Sequence, residues 1–213
     1  MPRTVEEYVR VSAGDVSLDG ILTVPEGTKR VVIFAHGSGS SRLSPRNAFV
    51  AGILQAAGFG TFLFDLLTGE EDFSFTNRFD IDLLTRRLMG ATRWLAGRPE
   101  GQGMKFGYFG ASTGAAAALQ GGAQMGETIR AIVSRGGRPD LAMAYLPKVH
   151  APTLLIVGEL DHEVLQLNRQ AYAQLAAEKE LAVVPGASHL FEEEGTLAEA
   201  AQLAREWFLR HLA

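Results

Sequence analysis

Residues 5–12 place apolar side chains (Val5, Tyr8, Val9, Val11) among polar ones, and a second strand-like run follows at 16–24 across a Gly14-Asp15 turn. Together they predict an antiparallel hairpin with one face on a core. The pattern then changes. Val31-Val32-Ile33-Phe34-Ala35 and Thr61-Phe62-Leu63-Phe64-Asp65 are continuous apolar runs rich in β-branched and aromatic residues. A run without alternation is buried on both faces, as parallel strands are. Lys105 to Gly110, Ile129 to Ser134, Pro152 to Gly158 and Leu181 to Val184 repeat the signal. Between these runs the period lengthens to that of a helix. Helices are predicted at about 45–57, 79–96, 114–120, 165–177 and 196–212; Ile81, Leu84, Leu88, Ala91 and Leu95 mark one buried stripe. Residues 66–78 read as polar and irregular, large enough for a small lid at most, and 139–147 read as helix or loop.

A hairpin followed by repeated strand–helix units predicts an α/β fold: a mostly parallel sheet with helices on both faces and no large cap domain. The 213 residues fit a single domain spanning 1–213. Ligands of such sheets bind beyond the carboxyl ends of the strands, so the loops at those ends are where chemistry is expected.

Composition narrows the function. Apolar residues make up 46% and charged residues 21%, enough for a packed core and too ordinary for disorder. A net charge of −4 offers no footprint for nucleic acid or for an anionic membrane, so the expected partner is a small molecule. Oligomeric state leaves no trace in the pattern. The chain has no cysteine, which excludes a disulfide framework, a thiolate zinc site and a cysteine nucleophile. The charged start, Met1-Pro2-Arg3-Thr4-Val5-Glu6-Glu7, lacks the apolar stretch of a secretory signal, and no apolar run approaches a bilayer span. A cytoplasmic protein is expected.

The sharpest chemical feature is Gly110-Ala111-Ser112-Thr113-Gly114. A strand runs directly into it and a helix leaves directly from it, the context a nucleophile elbow requires. Small residues let the turn close tightly, the serine is expected in strained backbone, and the helix start offers free N–H groups to a developing oxyanion. A serine hydroxyl needs a base to become a nucleophile. Of His36, His150, His162, His189 and His211, His189 lies in a loop after the last strand, at Gly186-Ala187-Ser188-His189. Asp161, after the Val157-Gly158 strand end, is placed to orient that histidine; Glu159 competes for the role, and Asp140 more weakly. The Glu159 to Glu163 cluster also admits a metal reading, but no repeated histidine spacing supports one. No metal and no cofactor are called for.

The backbone N–H groups of Ser38 and Thr113 are the expected oxyanion donors. His36 is expected to pack or hydrogen-bond within the glycine-rich loop. Arg42, Arg46 and Asn47 could bind an acidic group of a substrate, and Arg46 could equally well tether the loop. Asp65 reads as a turn cap, and Glu192-Glu193-Glu194 as an acidic lead into the final helix.

Four segments, His36-Gly37-Ser38-Gly39-Ser40, Gly110 to Gly114, Gly158-Glu159-Leu160-Asp161 and Gly186 to His189, stand in the order and spacing of the α/β-hydrolase superfamily. The cap-less length and the stretch Ser40 to Asn47 resemble its dienelactone hydrolase-like branch. Dienelactone hydrolase itself uses a cysteine nucleophile, and Ser112 stands at that position here. The resemblance implies a serine, carboxylesterase-like hydrolase. It would cleave a small carboxylic ester or related acyl bond through an acyl-enzyme on Ser112, with Asp161 and His189 completing the triad. The alternative is a non-catalytic ligand-binding protein on the same scaffold. A nucleotide-loop reading of Gly107, Gly110 and Gly114 fails on spacing and lacks the lysine such a loop requires.

Overall fold

The computed structural model describes residues 4–212; the charged Met1-Pro2-Arg3 start lies outside them. The hairpin is β1 (Thr4–Ala13) and β2 (Val16–Pro25), followed by β3 (Arg30–Ala35), α1 (Pro45–Ala56) and β4 (Gly60–Phe64). Two short helices, α2 (Gly69–Asp72) and α3 (Phe75–Phe79), lead into α4 (Ile81–Gly97). Then come β5 (Lys105–Ala111), α5 (Thr113–Met125), β6 (Ile129–Arg135), a 3-10 stretch at Pro139–Lys148, β7 (Thr153–Gly158), α6 (His162–Gln174), β8 (Lys179–Val184) and α7 (Thr196–His211). The eight strands form one sheet in the order β1-β2-β4-β3-β5-β6-β7-β8. β1 and β2 pair antiparallel, β2 meets β4 antiparallel, and every pair from β4 to β8 is parallel.

The unbroken apolar runs are explained by helices on both faces. Along β3, Val31 and Ile33 point into the layer holding Leu84 and Leu88 of α4 and Leu119 of α5. Val32 and Phe34 point the other way, toward Val50 and Leu54 of α1 and Trp207 and Phe208 of α7. β5 and β6 divide likewise, with Tyr108 and Ile132 on the first face and Phe109 and Val133 on the second. Period-two geometry sends successive side chains to opposite faces, so a strand with two covered faces must be apolar at every position.

Several boundaries differ from the sequence reading. Residues 66–78 are not irregular. Thr68 and Glu71 form a reciprocal capping box that starts α2, and Arg78 of α3 pairs with Asp72. The Thr-x-x-Glu spacing was the available signal. α5 runs to Met125 instead of stopping at Gln120, because Gly121 and Gly122 let the helix lie close on the sheet; a Cβ on Gly122 would sit 2.5 Å from Ile132 Cδ1. α6 begins three residues earlier than expected, with Asp161 at its N-cap. Among the described residues no helix is long and apolar enough to cross a membrane.

Candidate active site

β5 delivers its last residue, Ala111, into a turn so tight that Ser112 has φ 51° and ψ −122°. Among the described residues, Ser112 and Phe191 are the two non-glycine positions with positive φ. Such backbone costs of order 1–3 kcal/mol and persists where the surroundings impose it. Here a Cβ on Gly114 would fall far inside van der Waals contact with the carbonyl oxygens of Ala35 and His36, and one on Gly110 would strike Ala115. The two motif glycines thus let α5 start directly against β3. Gly37 approaches Ser112 itself; a Cβ there would lie 3.0 Å from Ser112 Cβ.

His189 shares a cleft with Ser112. Its Nδ1 lies 2.6 Å from Asp161 Oδ2, and a Cβ on Gly136 would lie 3.7 Å from His189 Cε1. Asp161 is at the helix N-cap yet makes no side-chain cap bond, so its carboxylate is given to the histidine. Glu159, the competing acid, accepts the Gly186 N–H at 2.9 Å, and Asp140 is forked by Arg138 at 2.9 and 2.8 Å. The acidic run before α7 braces the histidine loop: Glu193 Oε2 accepts the Ser188 N–H at 3.0 Å. That bond holds the Glu193 carboxyl below its ordinary range.

The loop after β3 is organised by His36, which is buried. Its Nδ1 lies 3.0 Å from the Gly37 carbonyl, and its Nε2 accepts the Leu66 N–H at 3.0 Å. Burial pushes its pKa down, which suits a neutral ring that donates at one nitrogen and accepts at the other. The Ser38 N–H points at the elbow and donates to Thr113 Oγ1 at 2.9 Å. Arg42 is a loop tether: its backbone N–H and guanidinium both bind Asp65, and Asp19 lies 3.7 Å from the guanidinium. Arg46 faces the site and pairs loosely with Glu192 at 3.4 Å.

One cleft of about 250 Å³ has Ser38, Arg46, Asn47, Ser112, Arg135 and His189 among its walls. Larger hollows lie beside the hairpin, about 440 Å³ around Val5 and Leu22 and about 580 Å³ around Asp19 and Glu70, but neither holds a serine–histidine pair. His150, His162 and His211 are not in the cleft walls, and His211 instead packs against Trp207. Arg135 was not singled out from the sequence. The signal was there, as a charge ending the apolar run Ile129 to Ser134.

Residues 18–212 match the dienelactone hydrolase family. The chain belongs to this family. It is 55% identical to the crystallised dienelactone hydrolase of Anabaena variabilis, with a TM-score of 0.96 and 99% of each chain covered. Est1E of Butyrivibrio proteoclasticus shares the fold at 13% identity, with a TM-score of 0.81, covering 95% of this chain and 98% of that one. A Mycobacterium tuberculosis protein provisionally named a phosphoribosyl transferase is 56% identical over 211 residues. That match takes in 99% of this chain and 48% of the relative, so the chain spans about half the length of the curated relatives it matches.

Proposed function

We propose that this chain is a serine hydrolase of small carboxylic esters or related acyl bonds. The observation that carries the reading is the strained Ser112 at the start of α5, sharing one cleft with a histidine whose Nδ1 is held by Asp161 at 2.6 Å. Membership of a hydrolase family supports it. The transferase name belongs to a relative about twice as long.

In this reading Ser112 Oγ attacks the acyl carbonyl while His189 Nε2 takes its proton. Asp161 fixes the tautomer with the proton on Nδ1 and stabilises the imidazolium without becoming protonated. His189 then returns the proton to the departing alkoxide, leaving the acyl group esterified to Ser112. A water activated by His189 adds to that ester, and its collapse releases the acid and the free serine. The Thr113 N–H, in the unbonded first turn of α5, is one oxyanion donor. The Ser38 N–H is the other. At rest it is held by a neutral hydroxyl, and a charged oxyanion is the stronger acceptor. The small cleft favours short acyl groups. No cofactor enters these steps.

The test is labelling with a fluorophosphonate probe followed by peptide mass spectrometry, alongside turnover of p-nitrophenyl acetate. The expected result is one adduct on Ser112 and hydrolysis that disappears in Ser112→Ala. An unlabelled Ser112 in folded protein without turnover would overturn the reading and leave the binding-protein alternative.

A further inference from the structure

β1 is the outermost strand of the sheet, and one of its edges has no strand beside it among the described residues. Its pairing with β2 decides which backbone groups point to that edge. The two-residue turn Gly14-Asp15, with Gly14 at φ 76°, makes Ala13 and Val16 its closing pair. The closing pair of such a turn exchanges hydrogen bonds, and bonded pairs alternate along the ladder. Val5, Glu7, Val9, Val11 and Ala13 therefore bond β2, whereas Thr4, Glu6, Tyr8, Arg10 and Ser12 aim their N–H and C=O groups outward. The Asp19 carbonyl agrees with this parity. It accepts the Asp65 N–H from the β4 side at 2.9 Å, so Asp19 and its register partner Arg10 are a non-bonded pair.

A free edge is a template for another strand, and proteins blunt theirs with lysine, proline, bulges or short length. β1 has none of these: it is ten residues in unbroken register with β2. The outward residues also share one sheet face, and it is open. Tyr8 is 75% exposed, with Glu6 and Arg10 exposed on either side of it. Among the described residues Glu6 has no ion pair, and Arg10 has a loose one with Asp19 at 3.8 Å.

We propose that this edge joins two copies of the chain, β1 against β1 antiparallel about a two-fold axis at Tyr8, making the two sheets one. Bonding requires outward residues to oppose outward residues, and charge chooses among the registers that satisfy this. Centred on Tyr8, Glu6 faces Arg10 of the second copy, and the symmetry makes that pair twice. Centred on Glu6, Glu7 or Arg10, that residue meets itself, and like charges directly opposite repel. Centred on Val9, Glu6 meets Ser12, Arg10 meets Tyr8, and no charges pair. The Tyr8 register also sets Val11 of the second copy opposite Val5, which is exposed beside the hollow lined by Leu22 and Val24. No β1 residue lines the cleft of Ser112 and His189, so assembly leaves that cleft open.

Sedimentation of the wild type at about 100 μM is expected to show a dimer with a Kd of about 10 μM or tighter. A monomer at that concentration would overturn the proposal. Glu6→Arg and Arg10→Glu each set like charges across the axis and should each weaken the dimer about tenfold or more. An equimolar mixture of the two variants opposes unlike charges at both positions and should recover the dimer. Association unchanged in either variant, or monomers that mixing does not rescue, would refute the register. Should either variant not fold, cysteine placement decides, because the chain has no cysteine of its own. Opposed bonded residues lie about 5.5 Å apart at Cα, within disulfide reach. Tyr8→Cys is therefore expected to give a cross-linked dimer under mild oxidation, and Leu43→Cys, exposed away from β1, is not. A Tyr8→Cys chain that stays unlinked, or a Leu43→Cys chain that links as readily, would end the proposal.

Discussion

Asp161 occupies the N-cap of α6, yet its carboxylate lies 2.6 Å from His189 Nδ1 and bonds none of that helix's own N–H groups. A capping aspartate stabilises its helix by about 0.5–2 kcal/mol, so the sequence position that would ordinarily serve α6 has been given over to orienting an imidazole. Glu159, two residues earlier, does local work by holding the Gly186 N–H.

The two acids should therefore separate in kinetics. Asp161→Asn is expected to lower kcat on p-nitrophenyl acetate by about 10⁴-fold by stabilising the wrong tautomer. Glu159→Gln keeps an oxygen acceptor for Gly186 and should change kcat by no more than about threefold, a loss within the range of one weak surface hydrogen bond. Comparable losses in the two variants would remove Asp161 from its role.

The elbow's backbone should reveal its strain in stability. Ser112→Gly suits φ 51° and ψ −122°, whereas Ser112→Ala does not. Both are expected to be inactive, with the glycine variant more stable by about 1 kcal/mol, roughly 2–4 °C in Tm for a chain of this size. Coincident melting curves would show that the turn is not strained.

Close approach at the elbow is testable by adding one carbon. Gly114→Ala would drive a Cβ into the Ala35 and His36 carbonyls and should cost about 3 kcal/mol or more in urea denaturation. Gly52→Ala, in the exposed part of α1 with nothing within 4 Å, should stabilise by about 0.5–1 kcal/mol. A well-tolerated Gly114→Ala would mean that β3 and α5 can move apart.

Tyr108 offers a pH test away from the site. It is fully buried, and its hydroxyl lies 2.7 Å from Thr92 Oγ1, which itself donates to the Leu88 carbonyl. Burial raises its pKa well above that of a free phenol, only partly offset by the bond with Thr92. The raised folded pKa favours the neutral form, so its stabilising share is complete below the unfolded value of about 10 and is lost as pH rises toward the folded value. Absorbance titration near 295 nm should show one tyrosine that ionises only with unfolding, and Tyr108→Phe should remove that step at a cost of about 1 kcal/mol. A native protein that ionises every tyrosine together near pH 10 would contradict this.

The parallel character of the sheet was legible because both-face burial writes a distinctive pattern: Val31 to Ala35 must be apolar at every position when α4 and α5 cover one side and α1 and α7 the other. The elbow was legible because its five residues are contiguous and the turn's steric demands act locally. Helix ends were less so. α5 continues past Gly121 and Gly122 because the sheet beneath supplies contacts that outweigh poor helix propensity. The role of Arg42 was open in the sequence because an arginine fork fits a protein carboxylate as well as a ligand's, and Asp65, 23 residues on, fills it.

Local chemistry along the chain, hydrophobic period and the glycine-flanked serine, was enough to determine the fold class and to point to Ser112. The tertiary structure alone decided which acid meets His189 and which arginine reaches the cleft. Those outcomes depend on where loops from different strands end up in space. Coulomb and hydrogen-bond energies act over a few ångströms, and distance along the chain says nothing about them.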